Sequence, residues 1–172
     1  GKRGFHNIEL QIAPGVLIPR PETELLVDIA LLEIKRIENS TRNPKILDLG
    51  TGSGAIALAI ANEASNARVI ATDQSLEALA IAKSLGLATR VEFAQGSWYE
   101  ALNEKDIFDI IVSNPPYISA KDPHLTEGDL RFEPADALTD HSTGLSCLEA
   151  IVMEAKNHLK PMGLLIVEHG FD

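Results

Sequence analysis

Along this 172-residue chain, short apolar runs alternate with segments whose apolar residues recur at helical spacing. From Lys45 onward the order is regular. "KILDLG" (45–50), "RVIATD" (68–73), "VEFAQ" (91–95), "FDIIVS" (108–113) and "GLLIVEHG" (163–170) have strand length. "AIALAIANEAS" (55–65), "SLEALAIAKSLG" (75–86) and "GLSCLEAIVMEAKNHLK" (144–160) read as helices. Apolar strands that lack strict alternation are covered on both faces, which predicts a parallel sheet. With right-handed crossovers this is a doubly wound, Rossmann-like α/β domain. Ser75 is expected to cap its helix and Gly86 to stop it.

Upstream, "HNIELQIAPGVLIPR" alternates apolar and polar residues on either side of Pro14-Gly15, predicting a short β-hairpin within residues 1–20. "PETELLVDIALLEIKR" reads as a helix that opens the main domain, 21–172. Pro21 suits the first helical position, and Glu22 and Glu24 suit the positive end of the helix dipole. Leu25, Ile29 and Leu32 form the expected apolar stripe, and "IENSTRNP" a polar linker.

Composition adds a few exclusions. No apolar run approaches the ~18 residues of a membrane span. The opening "GKRGFHNIEL" lacks a signal peptide's apolar stretch. The single cysteine, Cys147, permits no internal disulfide, so a cytoplasmic location is expected. Cys147 itself is expected in the core. A net charge of -10 disfavours stable binding to nucleic acid. His6, His124, His141, His158 and His169 show no metal-ligand spacing, so no metal is expected. Glu168 and His169 read as caps of the last strand.

"LDLGTGSGAIALAI" places Gly50, Thr51, Gly52, Ser53 and Gly54 in a strand-to-helix turn. Glycines there permit positive φ and let a ligand approach the backbone. A P-loop needs Lys and Ser/Thr after its last glycine, but Ala55-Ile56 follow, and G-x-G-x-G differs from the dinucleotide G-x-G-x-x-G. Asp73 ends the next strand, where a carboxylate can accept ribose hydroxyls. Loop and acid together indicate an adenosine-containing ligand.

"SNPPYIS" (113–119), in which Asn114 precedes two prolines and Tyr117 follows them, is similar to the loop of class I methyltransferases that modify planar amino or amide nitrogens, and the chemistry this resemblance implies explains the residue types. A carboxamide or exocyclic amine nitrogen is a poor nucleophile, its lone pair being delocalised into the π-system. An enzyme that alkylates it must hold both N–H bonds. The Asn114 side-chain oxygen can accept one and the Pro115 carbonyl the other. Pro115 and Pro116 fix φ near -65° and keep their predecessors extended. Tyr117 can stack on the flat target.

Asp48 with "GTGSG", followed by an acid closing the second strand, is similar to the S-adenosylmethionine site of class I methyltransferases. The resemblance implies S-adenosylmethionine as cofactor and S-adenosylhomocysteine as product. Gly50, Thr51, Gly52, Ser53 and Gly54 would then contact the methionine moiety and Asp73 the ribose. Trp98 would lie beside the adenine, or else be a packing residue. "VLIPRPETELLVD", "SNPPYI", "DPHLTEGDLRFEPADAL" and "GLLIVEHG" together resemble the HemK/PrmC protein-glutamine methyltransferases. These methylate the glutamine of the Gly-Gly-Gln motif in peptide chain release factors, which would be the partners here.

That resemblance implies that Asn114, Pro115 and Tyr117 are catalytic, that Asn114, Pro115, Pro116 and Tyr117 bind the glutamine, and that Asn114 also touches the cofactor. Arg20, Glu22, Arg131 and Glu133 would shape the mouth. Arg20 and Glu22 also read as plain helix-start residues, and Arg131 with Glu133 as a surface ion pair. Family members carry a preceding helical domain, and their sheet has two further edge strands. This chain is expected to lack both, with lowered stability or association as the result. Three rivals stand beside this reading. A DNA or RNA amino-methyltransferase shares the asparagine–proline loop. An NAD-binding domain explains the glycines but gives Asn114 to Tyr117 no task, and a non-catalytic scaffold would bind cofactor without transfer.

Overall fold

The computed structural model describes residues 1–37, 43–126, 131 and 133–170. Most of the expected polar linker (38–42) and residues 127–130 and 132 of the "DPHLTEGDLRFEPADAL" stretch lie outside the described residues.

The chain opens with β1 (Lys2–Phe5) and β2 (Ile8–Gln11), paired antiparallel with Phe5 opposite Ile8. The hairpin turns at His6-Asn7, not at Pro14-Gly15 as the sequence suggested. His6 adopts φ 49°, the left-handed conformation that tight two-residue turns demand. Pro14 to Pro19 instead form an irregular strap leading to a single 3₁₀ turn, Pro21–Thr23. There Pro21 occupies an early helical position, as expected.

α1 (Glu24–Ile37) follows. Its buried face is Leu26, Val27, Ala30 and Ile34, whereas Leu25 and Leu32 are 60% and 67% exposed. The expected stripe is therefore displaced by about one residue. Apolar residues occupy both registers of "ELLVDIALLEIKRI", so periodicity alone left the docking face undecided.

Among the described residues, five strands form the main sheet: β3 (Lys45–Leu49), β4 (Arg68–Asp73), β5 (Val91–Gln95), β6 (Phe108–Ser113) and β7 (Leu159–Val167). All pairings are parallel, in the order β5-β4-β3-β6-β7. The doubly wound fold expected from the sequence is thus present. Alternate residues serve opposite faces even where every residue is apolar. Ile46, Ile110, Val112 and Ile166 join the cluster under α1 and α2 (Ala55–Glu63). Leu47, Leu49 and Ile111 join Ile151 and Ala155 of α5 (Ser146–His158) on the other side.

Boundaries shift where local chemistry intervenes. α3 (Leu76–Lys83) is capped by Ser75, whose Oγ accepts from Ala78 N at 3.1 Å. It ends before Gly86, with the Ser84 hydroxyl donating to the Ile81 carbonyl at 2.6 Å. A single helical turn, α4 (Ala135–Leu138), was not anticipated. Leu159 turns extended and begins β7, so the last strand starts earlier than its glycine suggested. No helix among the described residues is long and apolar enough to cross a membrane.

Gly54 caps α2 at φ 83°, and a Cβ there would stand 2.8 Å from Leu58 Cδ1 and 2.9 Å from Ala82 Cβ. Gly54→Ala combines left-handed strain with overpacking, and should lower the unfolding free energy by more than about 1 kcal/mol in urea titration.

Candidate active site

Strand order reverses between β3 and β6, and in such sheets ligands bind beyond the carboxyl ends of the strands at this switch point. The register places Leu49 opposite Ser113, and the Ser113 hydroxyl donates to the Leu49 carbonyl at 2.7 Å. The glycine loop and the asparagine–proline loop therefore start side by side.

Gly50, Gly52 and Gly54 all take positive φ (67°, 56° and 83°). The loop is held by Thr51 N donating to the Thr72 carbonyl at 2.9 Å and by Gly52 N donating to Asp73 Oδ2 at 2.8 Å. Ser75 N donates to Asp73 Oδ1 at 2.8 Å. Each carboxylate oxygen keeps further acceptor capacity. A Cβ on Gly52 would meet nothing within 4 Å, so that side of the loop opens onto space. The space is a cavity of about 720 Å³ lined by Gly50 to Ser53, Asp73, Trp98, Asn114 and Pro116. Gly54 does not line it; its Cα faces Leu58 and Ala82 instead.

Trp98 both lines this cavity and packs on the α5-side core. Its backbone sits at φ 47°, strained for an aromatic residue, and its ring edge lies against Gly50. Cys147, expected in the core, is half-buried and lines the same cavity.

Beneath the loop, Asp48 is fully buried. Its Oδ2 accepts from Thr51 Oγ1 at 2.6 Å and from Ala57 N at 3.1 Å, while Oδ1 has no hydrogen-bond partner. Burial pushes its pKa up to about 7, against the opposing pull of the Thr51 and Ala57 donors.

On the other loop, Asn114 Nδ2 donates to Thr23 Oγ1 at 3.1 Å. Thr23 is buried, so the hydrogen bond fixes the amide and turns Oδ1 to the opposite edge. Tyr117 donates its hydroxyl to Glu168 Oε1 at 2.9 Å. Burial and the Glu168 charge push this phenol up to about 12, so it remains a protonated donor. The loop is splinted by Ile118 N donating to the Leu138 carbonyl at 3.0 Å and by close packing of Gly144 on the Tyr117 carbonyl. Asn114, Pro115, Tyr117 and Glu168 line a second, smaller cavity of about 120 Å³.

Several pairings were not foreseen from the sequence. Glu133 pairs with Arg20: Arg20 Nη2 reaches Glu133 Oε1 at 2.5 Å, and Ile18 N reaches Oε2 at 3.1 Å. That ties the strap to the segment after the prolines. Arg20 lines the smaller cavity, whereas Glu22 and Arg131 line neither. Glu168 is a partner of Tyr117 and more than a strand cap. Thr23 was visible within "RPETE", but only its distance in space from Asn114 gives it a role.

Two outcomes follow for stability. Thr23→Val strands the Asn114 amide donor and should cost about 1–2 kcal/mol in urea titration, while Thr23→Ser should stay within about 0.5 kcal/mol. For Asp48, the folded pKa is raised, so the folded state holds its proton longer than the unfolded state. Stability should fall as pH rises from about 4 to about 7, and Asp48→Asn should flatten that slope in urea midpoints measured across the range.

Residues 26–133 match the family described as "Methyltransferase small domain". The release factor glutamine methyltransferase of Xylella fastidiosa (strain Temecula1) is 50% identical over 175 residues, covering 100% of this chain and 62% of that protein. The protein of the same name from Burkholderia pseudomallei (strain K96243) is 49% identical over 180 residues, with the same coverages. This chain thus spans about 62% of the length of these curated relatives. Among solved structures, the Thermus thermophilus 16S rRNA N2 G1207 methyltransferase RsmC, in complex with AdoMet and guanosine, aligns with a TM-score of 0.66. It is 24% identical and covers 97% of this chain and 40% of its own. The precorrin-6y C5,15-methyltransferase of Geobacter metallireducens aligns at 0.59 with 13% identity, covering 92% and 65%. These structural likenesses agree with the fold. With a parallel sheet of this order, a glycine loop at its switch point and a family match over residues 26–133, the chain belongs to the methyltransferase small domain family.

Proposed function

We propose that this chain transfers a methyl group from S-adenosylmethionine to the side-chain amide nitrogen of a glutamine, the one in the Gly-Gly-Gln motif of peptide chain release factors. The observation that carries this reading is the fixed Asn114 amide, which sits where the two cavities meet. The names of the curated relatives supply the release factor.

The residues present fit the cofactor. The Gly52 face of the loop is open, the cavity has the size of a nucleoside-binding site, and Asp73 retains acceptor capacity beside it. Gly50 to Ser53 would hold the methionine end, Asp73 the ribose and Trp98 the adenine face. When bound, S-adenosylmethionine supplies an electrophilic methyl on a positively charged sulfur.

Everything else falls to the protein. Asn114 Oδ1 accepts one N–H of the glutamine amide and the Pro115 carbonyl the other. With both N–H bonds held in the amide plane, the nitrogen lone pair would be left free to face the methyl of a bound donor. Pro115 and Pro116 keep these acceptors in place without further ordering cost. Tyr117, held by Glu168, offers its ring to the flat amide. Alignment of the amide carries the rate, and no metal or nucleophilic side chain has a part. The net charge of -10 favours a protein acceptor over a nucleic acid, and the acceptor places the activity in the cytoplasm, where translation terminates.

Incubation with labelled S-adenosylmethionine and a release factor should put the label on the Gly-Gly-Gln glutamine by mass spectrometry. Label on nucleic acid, or none on that glutamine, overturns the reading. Asn114→Ala should cut methyl transfer by about 100-fold or more while raising the cofactor Kd by less than about 10-fold, because its oxygen acts chiefly on the aligned amide. Equal losses in both would contradict the role given to Asn114.

A further inference from the structure

The larger and smaller cavities share three lining residues, Leu17, Asn114 and Ala137. Asn114 supplies the polar acceptor described above. Leu17 lies on the strap between β2 and the 3₁₀ turn, and Ala137 lies in α4. Both are only partly buried, so neither is explained as core.

The strap and α4 are held together around this point. Glu133, two residues before the start of α4, takes Ile18 N and Arg20 Nη2. On the far side, Ile118 N bonds to the carbonyl of Leu138, the last residue of α4. Thr23 bonds Asn114 from the end of the 3₁₀ turn. Leu17 and Ala137 are thus flanked by contacts that fix their backbones, and they are the apolar residues that line both cavities.

Resting on the methyl-transfer reading, we propose that Leu17 and Ala137 form with Asn114 a collar between donor and acceptor cavities, and that the apolar pair sets the size of the alkyl group that can pass. The step needs nothing beyond the proposed reaction: the nitrogen lone pair forms the new N–C bond, the C–S pair leaves with sulfur, and the nitrogen sheds one proton to solvent. An aperture walled by a leucine and an alanine fits a methyl and resists a longer chain.

The test is a binding series that does not depend on which acceptor is used. Dissociation constants are measured by calorimetry for S-adenosylhomocysteine, S-adenosylmethionine and the S-ethyl analogue, on the full chain and its Leu17→Ala and Ala137→Leu variants. S-adenosylhomocysteine carries no transferable group, so it controls for general damage to the cavity. The wild type should bind the S-ethyl analogue about 10-fold or more weaker than S-adenosylmethionine. Leu17→Ala should largely remove that difference. Ala137→Leu should weaken S-adenosylmethionine by a similar factor relative to S-adenosylhomocysteine, and should slow methyl transfer to the release factor.

Equal binding of methyl and ethyl compounds by the wild type would overturn the collar, as would an unchanged ethyl-to-methyl ratio in Leu17→Ala. A normal binding series together with no label on any release factor would leave the collar standing and contradict the choice of acceptor.

Discussion

The pairing of β3 with β6 decides the rest of this site. Leu49 lies opposite Ser113, and the Ser113 hydroxyl reinforces that register with a 2.7 Å bond to the Leu49 carbonyl. Because side chains alternate along a strand, a slip of one residue would exchange the two faces and take each apolar side chain away from the close-packed neighbours it fits. Register is therefore strongly specified by the core, and the site inherits it. The loop that follows β3 carries the glycines, and the loop that follows β6 carries Asn114 and the prolines. Neither loop has to find the other.

What the sheet places side by side, the N-terminal strap connects. Thr23 orients the Asn114 amide, and Arg20 with the Ile18 amide engages Glu133. These links join residues 91 to 115 positions apart in the chain. They make the strap and the acceptor loop a single unit, with Leu17 at its inner edge. Such an arrangement explains why strain is tolerated close by. Trp98 holds an uncommon left-handed backbone while its ring packs on the glycine loop, and Asp48 keeps an unpartnered oxygen beneath it.

Much of this was legible in the sequence, for identifiable reasons. The five parallel strands were marked by short apolar runs between helical segments, and the glycine and asparagine–proline loops by residues whose backbone restrictions are strong. Ser75 announced its cap because a hydroxyl before a helix has one obvious partner. Other features depend on which residues meet in space. The docking face of α1 could not be chosen from a helix apolar in two registers. Pro14-Gly15 looked like a hairpin turn, yet the pairing of Phe5 with Ile8 placed the turn at His6-Asn7. Glu133 takes its partner Arg20 from the strap. No local pattern identifies Thr23 as the residue that orients Asn114.

The central claim is that Asn114 presents a fixed oxygen to an amide nitrogen held before the methyl donor. A crystal structure of the chain with S-adenosylhomocysteine and a glutamine-containing Gly-Gly-Gln peptide tests it most directly. The account predicts Asn114 Oδ1 at about 2.7–3.2 Å from the glutamine Nε2, with Nδ2 still on Thr23 Oγ1. A glutamine amide seated away from Asn114, or an Asn114 amide turned with its nitrogen toward the acceptor, would contradict it.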